Sequence, residues 1–179
     1  MPSFTEPTAR VFFALPAPAP LQHALADLAR EMAHHAHGRP VPAQDLHMTL
    51  AFIGAWPISR LRVLSAAGAT LGGEPMRITL DRQGAFRRAG IAWIGASTPP
   101  AALMQLAAAL SGALAAAGVT CDARPFQPHL TLARHCRGPY PAGAAGPFDW
   151  DVDTVALMQS QTRTEGVRYR RLETWPIGA

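Results

Sequence analysis

Apolar and polar residues change period along this chain, and the changes mark out a series of short elements. "RVFFAL" (10–15) is a compact apolar run stopped by Pro16, which predicts a buried strand. In "PLQHALADLAREMAHHAHG" (20–38), Leu21, Leu25, Leu28 and Met32 recur at helical intervals, with Pro20 to open the helix and Gly38 to close it. A Pro-rich connection (39–44) leads to "LHMTLAFIG" (46–54), which alternates like a strand. A second helix is predicted over 57–72, with Ser59 as its cap and Leu61, Leu64 and Leu71 in its stripe. Strands follow at 76–80 and 91–96, then a long Ala-rich helix over about 100–117 that ends at Gly118. Another strand is predicted at 128–134, a Gly/Pro loop at 137–147, and a closing pair at 150–161 and 167–177 joined by the turn "TRTEG".

The order is roughly β-α-β-α-β-β-α-β-β-β. Each half offers a strand, a helix and a second strand, and that second strand carries His-x-Thr-Leu both times: "DLHMTL" at 45–50 and "QPHLTL" at 127–132. We read a duplicated, bilobal α+β fold over residues 1–179, with two antiparallel-rich sheets flanking a central cleft and helices outside. Each lobe contributes one motif.

Strand geometry gives the motif its meaning. Side chains alternate across a strand, so His47 and Thr49 share one face while Met48, Leu50 and Phe52 take the other. His129 and Thr131 likewise lie opposite Leu130 and Leu132. The apolar set can enter a core, which leaves the polar set facing a cleft or a partner. Two imidazoles, one neutral and one protonated, can serve as general base and general acid near neutral pH. Two threonine hydroxyls can donate to the non-bridging oxygens of a phosphoryl group held between them. Such displacement at phosphorus requires no metal or cofactor. Two histidines make only half of a tetrahedral zinc site, and no Asp, Glu or Cys repeats beside them.

Composition narrows the partners. Roughly half of the residues are apolar and the formal charge is +4, carried entirely by Arg, for Lys and Asn are absent. Arg presents a planar fork of donors suited to phosphate oxygens. The cysteines, Cys121 and Cys136, lack metal-ligand spacing. No apolar run reaches membrane-spanning length and the first residues do not read as a secretory signal, so a cytoplasmic protein is expected; the sequence calls for no obligate protein partner, and a monomer is expected. The cluster "HHAHG" (34–38) is expected in the last turn of the first helix, where imidazoles complement the helix dipole. His23 should lie on an exposed helical face.

These residues resemble the 2H phosphoesterase superfamily, and within it the bacterial RNA 2′,3′-cyclic phosphodiesterases, also called 2′-5′ RNA ligase-like proteins. "RVFFAL" is similar to the family's opening strand, "VPAQDLHMTLAFIG" to its first motif and "DARPFQPHLTLAR" to its second. "ALMQSQTRTEGVRYRRLETWPI" resembles the family's ending, with Ser160, Gly166, Tyr169 and the Trp175–Pro176 pair in order. Met48 and Ile53 depart from the usual Leu or Ile and Leu, both as apolar exchanges.

The resemblance implies metal-independent opening of a 2′,3′-cyclic phosphate at an RNA end, or on a small cyclic-phosphate nucleotide, leaving a 2′-phosphate. His47 and His129 would be the catalytic pair, with His129 as base and His47 as acid the order adopted, although the two sites are nearly symmetric. Thr49, Thr131 and Arg134 would hold the phosphate. Arg134 sits five residues after His129, so an unbroken strand would turn it to the opposite face; a bulge or a strand end near Ala133 is needed to turn it back. Phe12, Phe13, Phe126 and Tyr169 are the aromatic candidates for stacking on a base, each also suited to a core. Other readings are 2′-5′ ligation or ADP-ribose 1″,2″-cyclic phosphate hydrolysis at the same site, and a non-catalytic RNA-binding module.

Overall fold

The computed structural model describes residues 6–122, 124–164 and 166–177. The N-terminal residues 1–5 and Glu165 of the predicted turn lie outside them. The described residues form nine strands and three helices of at least two turns. They run β1 (Thr8–Pro16), α1 (Ala19–His35), β2 (Arg39–Pro40), β3 (His47–Pro57), α2 (Leu61–Ala69), β4 (Met76–Phe86) and β5 (Ile91–Gly95). Then come α3 (Ala101–Ala116), β6 (Leu130–Arg134), β7 (Gly143–Val152), β8 (Thr154–Arg163) and β9 (Gly166–Pro176).

The strands do not form two separate sheets, as the sequence suggested. They make one continuous antiparallel sheet in the order β7-β4-β5-β6-β3-β1-β8-β9, with the two-residue β2 paired to β6. Its middle is narrow. β3 and β6 join through a single residue pair, Met48 opposite Leu130. These are the middle residues of the two His-x-Thr motifs, and both are fully buried. Their contact brings the two halves together because each is the apolar neighbour of its motif's polar pair.

The helices cover one face. Val11, Phe13 and Leu15 of β1, Ile78 and Leu80 of β4, and Ile94 of β5 point into a core with Leu21 and Leu25 of α1 and Leu103, Leu106, Leu110 and Leu114 of α3. The connections interlock: α1, which follows β1, packs behind β6 and β2, while α3, which follows β5, packs behind β3. Along α1 the buried Leu21, Leu25, Ala29 and Met32 keep the predicted stripe, and Pro20 sits in the first turn.

Several boundaries differ from the sequence reading. The 137–147 segment is not all loop, because β7 begins at Gly143 and pairs with β4. The single strand read at 150–161 is split at Asp153 into the ends of β7 and β8. Ser59 caps nothing: the helix begins at Leu61 without a side-chain cap, and the Ser59 hydroxyl donates to Glu6. α1 stops at His35, and His37, beyond it, takes the left-handed conformation with φ 50° that a closing glycine was expected to supply. Phe52, expected on the core side, is 36% exposed under the Arg10 guanidinium. Register shifts in β3 around Leu50 and Ile53 turn it there.

Candidate active site

The motif side chains converge on the helix-free face. An antiparallel register that pairs Met48 with Leu130 sets His47 across from Thr131 and Thr49 across from His129. Continued from that one pair, the register puts each histidine toward the other motif's threonine, and the two rings are near enough for the charge of His129 to act on His47. All four side chains are half-buried, between the buried Met48 and Leu50 on one strand and Leu130 and Leu132 on the other. The alternation expected from the sequence holds through both motifs.

Both motifs also contain the same irregularity. In β3, Thr49 opposes Ala14 and Ala51 opposes Phe13, so Leu50 is an extra residue. In β6, Thr131 opposes Trp93 and Ala133 opposes Ala92, so Leu132 is extra. The leucine after each threonine is a β-bulge, which bends the strand away from its partner just past the polar pair. In β6 the bulge has a second effect. Leu132 and Ala133 are both buried, so the alternation slips by one and Arg134 returns to the face of His129 and Thr131. The turn needed near Ala133 comes from this bulge. The Arg134 guanidinium donates to the Tyr169 hydroxyl at 3.4 Å, bridging from β6 to β9 across the junction.

The imidazoles are held in matching ways. Nδ1 of His47 lies 2.7 Å from the Asp45 carbonyl oxygen, and Nδ1 of His129 lies 2.7 Å from that of Gln127. A carbonyl only accepts, so Nδ1–H donates in both cases and Nε2 is left free to take or give a proton. Aromatic rings fix each imidazole plane. Tyr169 meets His47 edge-on at 4.8 Å, with Phe12 at 4.9 Å; Phe86 meets His129 edge-on at 4.8 Å, with Trp93 at 6.2 Å.

Burial lowers the pKa of both imidazoles. His47 is held down to about 4, mainly by loss of solvation, with the positive charges of Arg134 and His129 adding to the effect and the Asp45 hydrogen bond opposing it. His129 is lowered by the same burial and by Arg134, against its bond to Gln127. One guanidinium thus acts on both rings, and each ring lies within the field of a shared charge. Arg134→Gln removes that charge, so both imidazoles should titrate at higher pH in the unliganded protein. Following the two histidine side-chain signals by NMR during a pH titration checks this; a variant in which only one ring moves would place Arg134 beside that ring alone.

The other sequence candidates separate. Phe13 belongs to the core and Phe126 packs partly against it. Phe12 lies on the helix-free face but is only 3% exposed, beneath His47 and Tyr169, so it supports the imidazole. Tyr169 is half-buried beside His47, and His23 is exposed on α1. The sequence reading missed Trp93, Phe86 and Asp45. Trp93 could have been found from "IAWIG", where it alternates with the buried Ala92 and Ile94 and so must face away from the core. Its ring lies across Gly84 of β4, where even a Cβ atom would come within 2.4 Å of it. Asp45 is 5% exposed, with its carboxylate 3.2 Å from Arg168 of β9. That pair ties the residue whose carbonyl orients His47 to the far side of the sheet. No group of three or more His, Cys, Asp or Glu among the described residues is arranged to hold a metal ion, the 34–37 histidines included. No described helix is long and apolar enough to cross a membrane.

This chain is similar to proteins of known kind over almost its whole length. An RNA 2′,3′-cyclic phosphodiesterase of Escherichia coli (strain K12) is 32% identical over 170 residues, covering 94% of this chain and 96% of that one. An RNA 2′,3′-cyclic phosphodiesterase of Thermus thermophilus is 29% identical over 180 residues, covering 94% and 90%. The crystal structure of E. coli LigT complexed with 3′-AMP matches with a TM-score of 0.88 at 30% identity, over 96% of this chain and 99% of that one. The family model described as the 2′-5′ RNA ligase superfamily matches residues 16–164, the span that holds both His-x-Thr strands, and the chain belongs to that superfamily.

Proposed function

We propose that this protein is a cyclic phosphodiester hydrolase that opens RNA 2′,3′-cyclic phosphate ends to 2′-phosphates, with His47 and His129 as its acid–base pair. The observation that carries the reading is the reciprocal placement at the β3–β6 junction. Each imidazole has its Nδ1 tied to a backbone carbonyl and its Nε2 free, and the Met48–Leu130 pair brings the two motifs side by side. The relatives named above as RNA 2′,3′-cyclic phosphodiesterases support the substrate class.

In this scheme the cyclic phosphate lies between the two Nε2 atoms. His129 takes a proton from water as the water oxygen attacks phosphorus. The bond from phosphorus to the 3′ oxygen breaks, and His47 gives its proton to that oxygen, leaving a 2′-phosphomonoester and a 3′ hydroxyl. The Thr49 and Thr131 hydroxyls donate to the non-bridging oxygens, and Arg134 balances their charge. The phosphate anion in turn offsets the Arg134 field and favours the protonated state that the acid needs. A ring with a depressed pKa is the stronger acid once it is charged. This chemistry calls for no metal ion. One bilobal unit, each half supplying one motif, is the arrangement it requires.

The test is incubation with EDTA and a short RNA ending in a 2′,3′-cyclic phosphate, followed by identification of the product. A 2′-phosphate end is expected; a 3′-phosphate end would reverse the assigned leaving group, and binding without turnover would make the chain an RNA-binding module. Thr49→Val and Thr131→Val keep the shape of the side chain and remove one hydrogen bond to a charged group. Each should lower kcat/KM about 10-fold or more, with similar effects at the two positions. A loss at only one threonine, measured on the same substrate, would argue against a phosphate gripped from both sides.

A further inference from the structure

The described residues contain a second duplicated motif, His-x-Arg, at 37–39 and 135–137. The structure brings the two copies together. His37, Gly38, Arg39, His135 and Arg137 line one surface cavity of about 340 Å³, and no acidic residue lines it among those described. None of the four basic side chains has a salt-bridge partner among the described residues.

The backbone here is built rather than loose. His37 and His135 both hold left-handed conformations, with φ 50° and 57°, and they are the non-glycine residues with positive φ among those described. Such conformations are costly without glycine and persist where the surroundings impose them. The restraints are visible. Gly38 N–H donates to Ala33, Cys136 N–H to Gly90 and Arg137 N–H to Ala36. The Tyr140 hydroxyl donates to the Cys136 carbonyl at 2.9 Å. Gly38 has no room for a Cβ, which would come within 2.7 Å of Cys136 Sγ and 2.8 Å of the Arg134 carbonyl. The two basic segments are therefore pressed together on rigid backbone, which suits a site for a fixed anion.

The cavity adjoins the proposed active site. Arg39 of β2 is the antiparallel partner of Arg134, so its side chain leaves the sheet on the same face. His135 follows Arg134 directly. His135 lies six residues beyond His129 and just past the end of β6, at most about 20 Å along a fully extended chain. An anion in the cavity is thus distinct from the reacting phosphate and lies farther along one basic track.

We propose that this cavity is a subsite for a backbone phosphate of the RNA chain, upstream of the cyclic end. This deepens the hydrolase reading and rests on it. The cavity would let the enzyme distinguish a polynucleotide end from a free cyclic nucleotide, which reaches the two histidines and nothing beyond. Arg39 and Arg137 supply forked donors to the phosphate oxygens, with His37 and His135 beside them.

The test uses the full chain and the double variant Arg39→Gln/Arg137→Gln, whose thermal midpoint should match the parent because both arginines are exposed. Two substrates are compared: a hexaribonucleotide ending in a 2′,3′-cyclic phosphate and cytidine 2′,3′-cyclic monophosphate. The variant should lose about 10-fold or more in kcat/KM on the hexamer and stay within about twofold on the mononucleotide. Equal losses on both substrates, or none on the hexamer, would overturn the subsite. Anisotropy with a labelled hexamer bearing a linear 3′-phosphate tests it even if neither substrate is hydrolysed. Binding should weaken about 5-fold or more, and log K against log salt should become shallower by about 0.7 or more. Unchanged hexamer binding, or loss of inorganic phosphate binding alone, would make the cavity a site for free anions and end the proposal.

Discussion

Replacing His47 or His129 by alanine is expected to lower kcat/KM for a cyclic-phosphate RNA end by at least ~100-fold in either case, the scale on which a positioned general acid or base contributes. The expectation is the same for both because their surroundings match. Each ring has one nitrogen fixed to a carbonyl two residues earlier in the chain, and each is braced by a pair of aromatic rings. Binding should change far less, since the threonines and Arg134 remain. The double variant should be little slower than the slower single variant, because an acid and a base that serve one displacement act as a unit. Multiplicative losses would instead assign the two histidines to separate tasks. Retained activity in either single variant removes that histidine from the chemistry.

The second large effect is structural. Leu130→Ala should destabilise the protein by about 2–5 kcal/mol, the range for truncating a buried leucine. For a chain of this size that is a fall of roughly 5–15 °C in Tm. Leu130 is fully buried, and its contact with Met48 is the pairing that joins the two halves of the sheet. Activity at a temperature where the variant is still folded should also drop, because loosening this pair shifts one imidazole relative to the other, and misplacement by about 1 Å can cost on the order of 100-fold. Met48→Leu is the control. It conserves volume, should cost less than about 1.5 kcal/mol and should leave turnover intact. A Leu130→Ala protein with unchanged melting and unchanged kcat/KM would show that the junction does not position the site.

Much of this was legible in the sequence because alternation is a local property. The rule that sends Met48 and Leu50 one way and His47 and Thr49 the other depends on strand geometry alone, and it holds in both motifs. It failed at Phe52, two residues past a bulge, because an inserted residue reverses the faces and leaves no mark in composition. For Arg134 the sequence asked for a bulge or a strand end, since the residue had to reach the polar face from the wrong position, and a bulge at Leu132 supplies the turn. The sequence could not say that the two sheets are one. That depends on Met48 meeting Leu130, a pairing of residues remote in the chain. Asp45 and Trp93 were missed for a related reason. Asp45 acts through its backbone oxygen and an ion pair with Arg168, and Trp93 through its proximity to His129; neither shows in a motif. In "HHAHG" the expectation held for His34 and His35, which lie in the last turn of α1, and failed for His37, which lies beyond the helix with a left-handed backbone.

The protonation state of the two imidazoles is what the pH profile of kcat/KM on a cyclic-phosphate RNA end measures. The productive enzyme carries one proton between the two rings. Rate should fall on the acid side as both become charged and the base is lost, and on the alkaline side as both become neutral and the acid is lost. With His47 held near 4 and His129 held below the ordinary 6.5, the maximum should lie between about pH 4 and 6.5. A rate that stays level from pH 6 through pH 9 would show that no protonated imidazole takes part, and would contradict the account.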